Sequence, residues 1–149
     1  MSKVESADLI LKLYDLRREE KMRQAREWIF TFDPKNVDDF WATMMDPQVG
    51  PYLRMVTSYW EMAASFVNQG VIDAEMFNDI TGEHIMVFAK VEPFLAEIRE
   101  RFQNPKAFAH LEKAILDQPD GAERLAKTQE FLKVILAQIA QQQAAAAAQ

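Results

Sequence analysis

Pro51-Tyr52-Leu53-Arg54-Met55-Val56-Thr57-Ser58-Tyr59-Trp60-Glu61-Met62-Ala63-Ala64-Ser65-Phe66-Val67-Asn68-Gln69-Gly70 is the stretch that decides the fold class. Arg54, Ser58, Glu61, Ser65 and Asn68 recur at spacings of four, three, four and three. That period puts them on one polar stripe of a helix and leaves the remaining faces apolar. Pro51 suits the first turn, where a missing N–H costs nothing, and Gly70 suits the position just past the end. No run of the chain alternates with period two between turn residues, so no strand is expected.

Working toward the N-terminus, Asn36 and Asp39 resemble a capping box before Phe40, Trp41, Met44 and Met45. Asp46-Pro47 closes that helix. Residues from Ser6 to Phe32 carry two apolar stripes separated by Arg17-Arg18-Glu19-Glu20-Lys21, which predicts two helices with a bend near Arg18 to Glu20. On the C-terminal side, Asp73 caps a short helix to about Ile80. Thr81-Gly82 restarts the chain into a stripe of Ile85, Phe88, Leu95, Ile98 and Phe102. Pro93 falls inside that stripe and predicts a kink near Val91 and Glu92. Asn104-Pro105 reads as a cap and a first-turn proline of a helix ending near Asp117. Asp120 and Glu123 resemble another capping box, opening a last helix with Leu125, Leu132, Ile135 and Ile139 on its apolar side.

The expectation is an all-α, single-domain irregular bundle of about seven or eight helices without a sheet. It occupies residues 1–140, followed by a low-complexity Gln/Ala tail at 141–149 that frays or extends into solvent. A chain of 149 residues buries enough surface to need no disulfide or metal. A content of 49% hydrophobic and 27% charged residues excludes disorder of the whole chain. The net charge of −6 makes nucleic acid an unlikely partner. With 0 cysteines, thiol catalysis and thiolate metal sites are excluded. No apolar run reaches the roughly 20 residues of a membrane span, and none resembles a signal peptide. A cytoplasmic protein is expected.

Chemistry-bearing motifs are sparse. Neither His84 nor His110 sits in Glu-x-x-His or His-x-x-x-His, so no metal and no cofactor is expected. No serine lies in a nucleophile elbow, and no two glycines stand close enough for a phosphate loop. Glu61, inside an apolar run, reads either as a buried general base or as one member of the polar stripe, and the periodicity favours the stripe. Setting the helix that ends at Gln69 antiparallel to the one that starts near Gly82 further predicts Glu61–Lys90 and Arg54–Glu97 ion pairs along a shared seam. The basic residues Lys12, Arg17, Arg18, Lys21, Arg23 and Arg26 are interleaved with Asp15, Glu19 and Glu20. They read as a salt-laced solvated face, with Glu19 and Arg23 in the favourable order for a helical pair. Trp41, Met44, Met45 and Met55 gather around the Pro47–Pro51 loop, and an adaptable Met-rich patch of this kind is an interface candidate.

Tyr59-Trp60-Glu61, Gly70-Val71-Ile72-Asp73, Phe77, Gly82, Pro93-Phe94 and Ile98-Arg99 together resemble a family of small, all-helical bacterial domains of unknown function. The resemblance runs from about Tyr14 to Phe102. It implies the helical fold and assigns no activity, cofactor or catalytic residue. Two functions therefore stand as expectations. The first is a non-enzymatic protein-interaction or regulatory module that binds a protein partner or itself. The alternative is a small-molecule-binding or enzymatic bundle with a pocket near Tyr59, Glu61 and His84.

Overall fold

A computed structural model describes residues 2–149. Among these residues there are helices and turns and no strand. The helices are α1 (Lys3–Leu16), α2 (Glu20–Thr31), α3 (Val37–Met45), α4 (Gly50–Asn68), α5 (Ala74–Ile80), α6 (Glu83–Val91), α7 (Leu95–Arg101), α8 (Ala109–Leu116) and α9 (Gly121–Ala147). A 3-10 turn at Glu92–Phe94 carries α6 directly into α7. Taken as one rod kinked at Pro93, they leave the described residues with eight helices, the architecture expected.

Several starts are set by local capping. The Ser2 hydroxyl accepts the Glu5 N–H at 3.1 Å and the Glu5 carboxylate returns to the Ser2 N–H at 3.4 Å, so α1 begins ahead of Ser6. The expected bend lies between Leu16 and Glu20, where the Glu19 carboxylate accepts the N–H groups of Lys21 (3.0 Å) and Met22 (2.9 Å). Those backbone hydrogen bonds hold its carboxyl below the ordinary value. Glu19 is thus a cap and not the partner of Arg23. Asn36 caps α3 through the Asp39 N–H at 2.9 Å, and Asp73 caps α5 through the Met76 N–H at 2.8 Å. Gly70 adopts φ +75 after α4, a left-handed conformation that glycine takes without strain.

Two expected helix starts are corrected. Asn104-Pro105 does not open a helix: the Asn104 side chain accepts the Lys106 N–H at 3.1 Å in a turn, and α8 begins only at Ala109. Two left-handed residues, Gln103 (φ 53) and Phe108 (φ 60), bend the chain between them. Asp120 makes no capping hydrogen bond, and Glu123 pairs instead with Lys127 at 2.8 Å. The tail continues α9 to Ala147 with residues 141–149 exposed throughout.

α4 is the central helix, packed against α2, α3 and α8, while α9 lies along α6 and also touches α8 and α2. Trp60, Phe40, Phe77 and Phe88 are the largest fully buried side chains. Each contributes roughly 1.5–3 kcal/mol through apolar burial. Every residue from His84 to Val91 is buried, because α9 covers the side of α6 that a single core stripe leaves open. Lys90, part of that run, donates to the Phe32 carbonyl at 2.6 Å and so closes the C-terminal end of α2. The salt-laced face also folds inward at one point. Arg26 binds both Glu83 oxygens through Nε, at 2.9 and 3.1 Å, and Arg17 lies 3.9 Å from the same carboxylate.

Candidate functional site

The C-terminal half of α3 and the middle of α4 form one wall of an open groove of about 690 Å³. Phe40, Met44 and Met45 come from α3, Pro47 from the loop that follows it, and Pro51, Thr57 and Glu61 from α4. The facing wall is Ile98 of α7 and Phe102 just past its end, with Ala107 and Phe108 from the loop before α8. The loop at the head of the groove is closed by hydrogen bonds. Asp46 accepts the N–H groups of Gln48 (2.7 Å) and Val49 (3.0 Å), which holds its carboxyl below the ordinary value. Arg54 donates to the Met44 carbonyl at 3.1 Å and fastens the end of α3 to α4.

Glu61 borders this groove, and its role differs from the expected seam pair. Its carboxylate accepts the N–H of His110 at 3.1 Å and of Leu111 at 2.9 Å. Phe108, at the head of α8, offers no capping side chain, so Glu61 supplies the cap from 49 and 50 positions away. A carboxylate there also meets the positive end of the helix. Asn68, on the same stripe, donates to the His110 carbonyl at 3.0 Å. The expected Glu61–Lys90 and Arg54–Glu97 pairs do not form: Lys90 closes α2 and Arg54 holds Met44. Glu61 and Asn68 of the polar stripe dock α8, while Arg54 at its other end holds α3. Glu61→Ala is expected to cost about 1–2 kcal/mol, the value of a lost cap on part-buried amides. Glu61→Gln, which keeps one acceptor, should lose less. Urea unfolding of the two variants measures both effects, and an Ala variant as stable as the wild type would remove Glu61 from this role.

The other candidate residues fall in different places. Met44 and Met45 line the groove, and Met45 is 55% exposed. Trp41 stands behind it, its ring 4.9 Å from Phe102 and 4.8 Å from the Arg101 guanidinium. Met55 is exposed outside the lining. Tyr59, Glu61 and His84 do not share a pocket, which corrects that expectation. Tyr59 turns toward α1, where its hydroxyl donates to the Leu13 carbonyl, and burial pushes its phenol up to about 12. His84 is fully buried between Trp60 and Phe77, with ring centroids at 5.8 and 4.9 Å. Burial, helped by Arg124, drives its pKa down to about 3, so it stays neutral. Phe102, Ala107 and Phe108 were not singled out from the sequence as groove residues. The only cue was the Asn104-Pro105 break, which marks a loop without saying what the loop faces.

Chemically, the groove presents apolar surface. The charged groups that border it, Asp46, Arg54 and Glu61, are engaged in holding the fold, and the side chains of Thr57, Ser58 and Asn104 bond nearby backbone. Among the described residues no three His, Cys, Asp or Glu side chains gather as a metal site, and no helix is long and apolar enough to cross a membrane. Searches of curated proteins and of solved structures returned no match. One family model does match, over residues 3–117, which takes in α1 to α8 and ends before α9. The match extends the resemblance carried by Tyr59-Trp60-Glu61 and Gly70-Val71-Ile72-Asp73 at both ends, and the chain belongs to the family described as Domain of unknown function (DUF4760).

Proposed function

We propose that the protein is a non-enzymatic interaction module that self-associates, its groove receiving the α9 helix of a second copy. The observation that carries this reading is that one chain holds both complementary halves. One half is the open apolar groove with Met44 and Met45, side chains that adapt to a partner's shape. The other is the outer face of the middle of α9, where Phe131 and Val134 are each 63% exposed. Three positions apart, they lie on one helix face, the spacing with which an amphipathic helix enters an apolar groove. Beyond Ile139, α9 continues to Ala147 for about two more turns of Ala and Gln with no large side chain to bury.

The test is oligomeric state by light scattering across a concentration series. The wild type is expected to form a dimer or higher assembly. Met45→Asp in the groove and Phe131→Asp on α9 should each give folded monomers with an unchanged far-UV CD spectrum. Mixing the two variants should restore association, because each keeps the half that the other lacks. A monomeric wild type overturns self-association. Variants that stay monomeric when mixed overturn the pairing of groove with α9.

A further inference from the structure

With 0 cysteines, the oxidisable sulfur of this chain is carried by its 8 methionines, and they are unevenly placed. Met22 and Met86 are buried in the core. Met44 is half-buried and packs against it. Met45 is 55% exposed, more than Met62 (38%) or Met55 (37%), and of these three it is the one that lines the groove. No methionine lies in α9. The two halves of the contact between copies therefore differ in their redox chemistry. The groove carries an exposed thioether, whereas the α9 face of Phe131 and Val134 carries no sulfur.

We propose that Met45 is an oxidation site, at which a hydroperoxide converts the thioether to the sulfoxide and so closes the groove to α9 of the second copy. The proposal rests on the self-association reading. With hydrogen peroxide, the Met45 Sδ lone pair attacks one peroxide oxygen. The S–O bond forms as the O–O bond breaks, and the other oxygen leaves with both protons as water. The sulfur loses two electrons and the peroxide gains them. The product places a polar acceptor where an adaptable apolar side chain stood. In the free groove, water solvates that oxygen. Under α9 it would be desolvated beside Phe131 and Val134, whose side chains have no donor to give it. Oxidation therefore penalises the assembly and spares the exposed monomer. Because α9 covers Met45 in the assembly, peroxide reaches the sulfur in a dissociated copy and keeps that copy from rejoining.

Hydrogen peroxide at limited dose is the probe. Light scattering follows association, and peptide mass mapping shows which methionines gain one oxygen. In the monomeric Phe131→Asp variant, whose groove is open, Met45 should be oxidised ahead of Met55 and Met62, with Met22 and Met86 last. Oxidation of the wild type should weaken its self-association by at least about tenfold, the effect of burying one unpaired polar group. Methionine sulfoxide reductases acting on both epimers should restore it. Met45→Leu keeps an apolar side chain at an exposed position and should associate equally before and after peroxide. Once the peroxide is removed, oxidised wild type still has an intact α9 face, so it should join Phe131→Asp but not Met45→Asp. A wild type that is monomeric before treatment overturns the self-association reading, and this proposal with it. A wild type that assembles untreated and stays assembled with Met45 oxidised overturns this proposal alone. So does dissociation of Met45→Leu by peroxide, oxidation of Met55 and Met62 ahead of Met45, or an association that the reductases fail to restore.

Discussion

Gly121→Ala is expected to destabilise the protein by about 3 kcal/mol, the upper end for forcing extra volume into a packed interior. Gly121 opens α9 and is buried where that helix crosses the end of α8. A Cβ built there would stand 1.8 Å from the Ile115 carbonyl oxygen, 2.8 Å from its carbon and 3.3 Å from the Leu116 Cα. All three are backbone atoms, so no side-chain rotation relieves the overlap. The α8–α9 corner has to open, and with it the contact of α9 with α6. Gly50 shows a milder form of the same constraint, with 2.6 Å to the Met44 oxygen. Urea unfolding of the wild type and Gly121→Ala provides the measurement. A loss under about 1 kcal/mol, the ordinary size for a point substitution, would show that the corner slides without cost.

The second large effect is a pH dependence. Lys90 is 6% exposed, donates to the Phe32 and Phe30 carbonyls, and has Asp33 nearby. Burial lowers its pKa from 10.5 to about 8, and the attraction of Asp33 only partly opposes this. Below pH 8 both folded and unfolded chains carry this proton. Between about 8 and 10.5 the unfolded chain holds it and the folded chain has released it. The unfolded state then binds more protons, so the Lys90 contribution to stability rises with pH across that window. The rise is on the order of 3 kcal/mol for a shift of this size. Other lysines and tyrosines titrate nearby, so the quantity to follow is the stability difference between wild type and Lys90→Met. That difference should shift in favour of the wild type as the pH passes from below 8 to above 10.5. A difference that stays flat would mean that water reaches the ammonium in the folded state.

Glu61 shows how far the candidate site could be read from sequence. Periodicity placed it correctly on the polar stripe with Arg54, Ser58, Ser65 and Asn68. The antiparallel register that paired it with Lys90 failed because α8, not α6, is the main neighbour of that face. A helical period reports which side of a helix is polar. It carries no information on which element that side meets. Met44 and Met45 were legible as an interface candidate because they flank the Pro47–Pro51 loop, whereas the opposite wall of the groove, Phe102 to Phe108, comes from a distant segment. The trio Tyr59, Glu61 and His84 was scattered for a similar reason. Tyr59 and Glu61 are two positions apart on a helix and therefore face different neighbours.

The sequence alone determined the all-helical class, the bend before Glu20, the caps at Asn36 and Asp73 and the kink at Pro93. Each depends on groups within about four residues of one another, where backbone geometry leaves little choice. Even local signals were overruled where tertiary contacts competed, as at Asn104-Pro105 and Asp120. Only the tertiary structure decided that Glu61 caps α8, that Lys90 closes α2 and that α9 buries the outer side of α6. These contacts join residues 40 or more positions apart. Their partners are chosen by how the helices pack and by the need to satisfy buried polar groups, and neither is written in the local pattern.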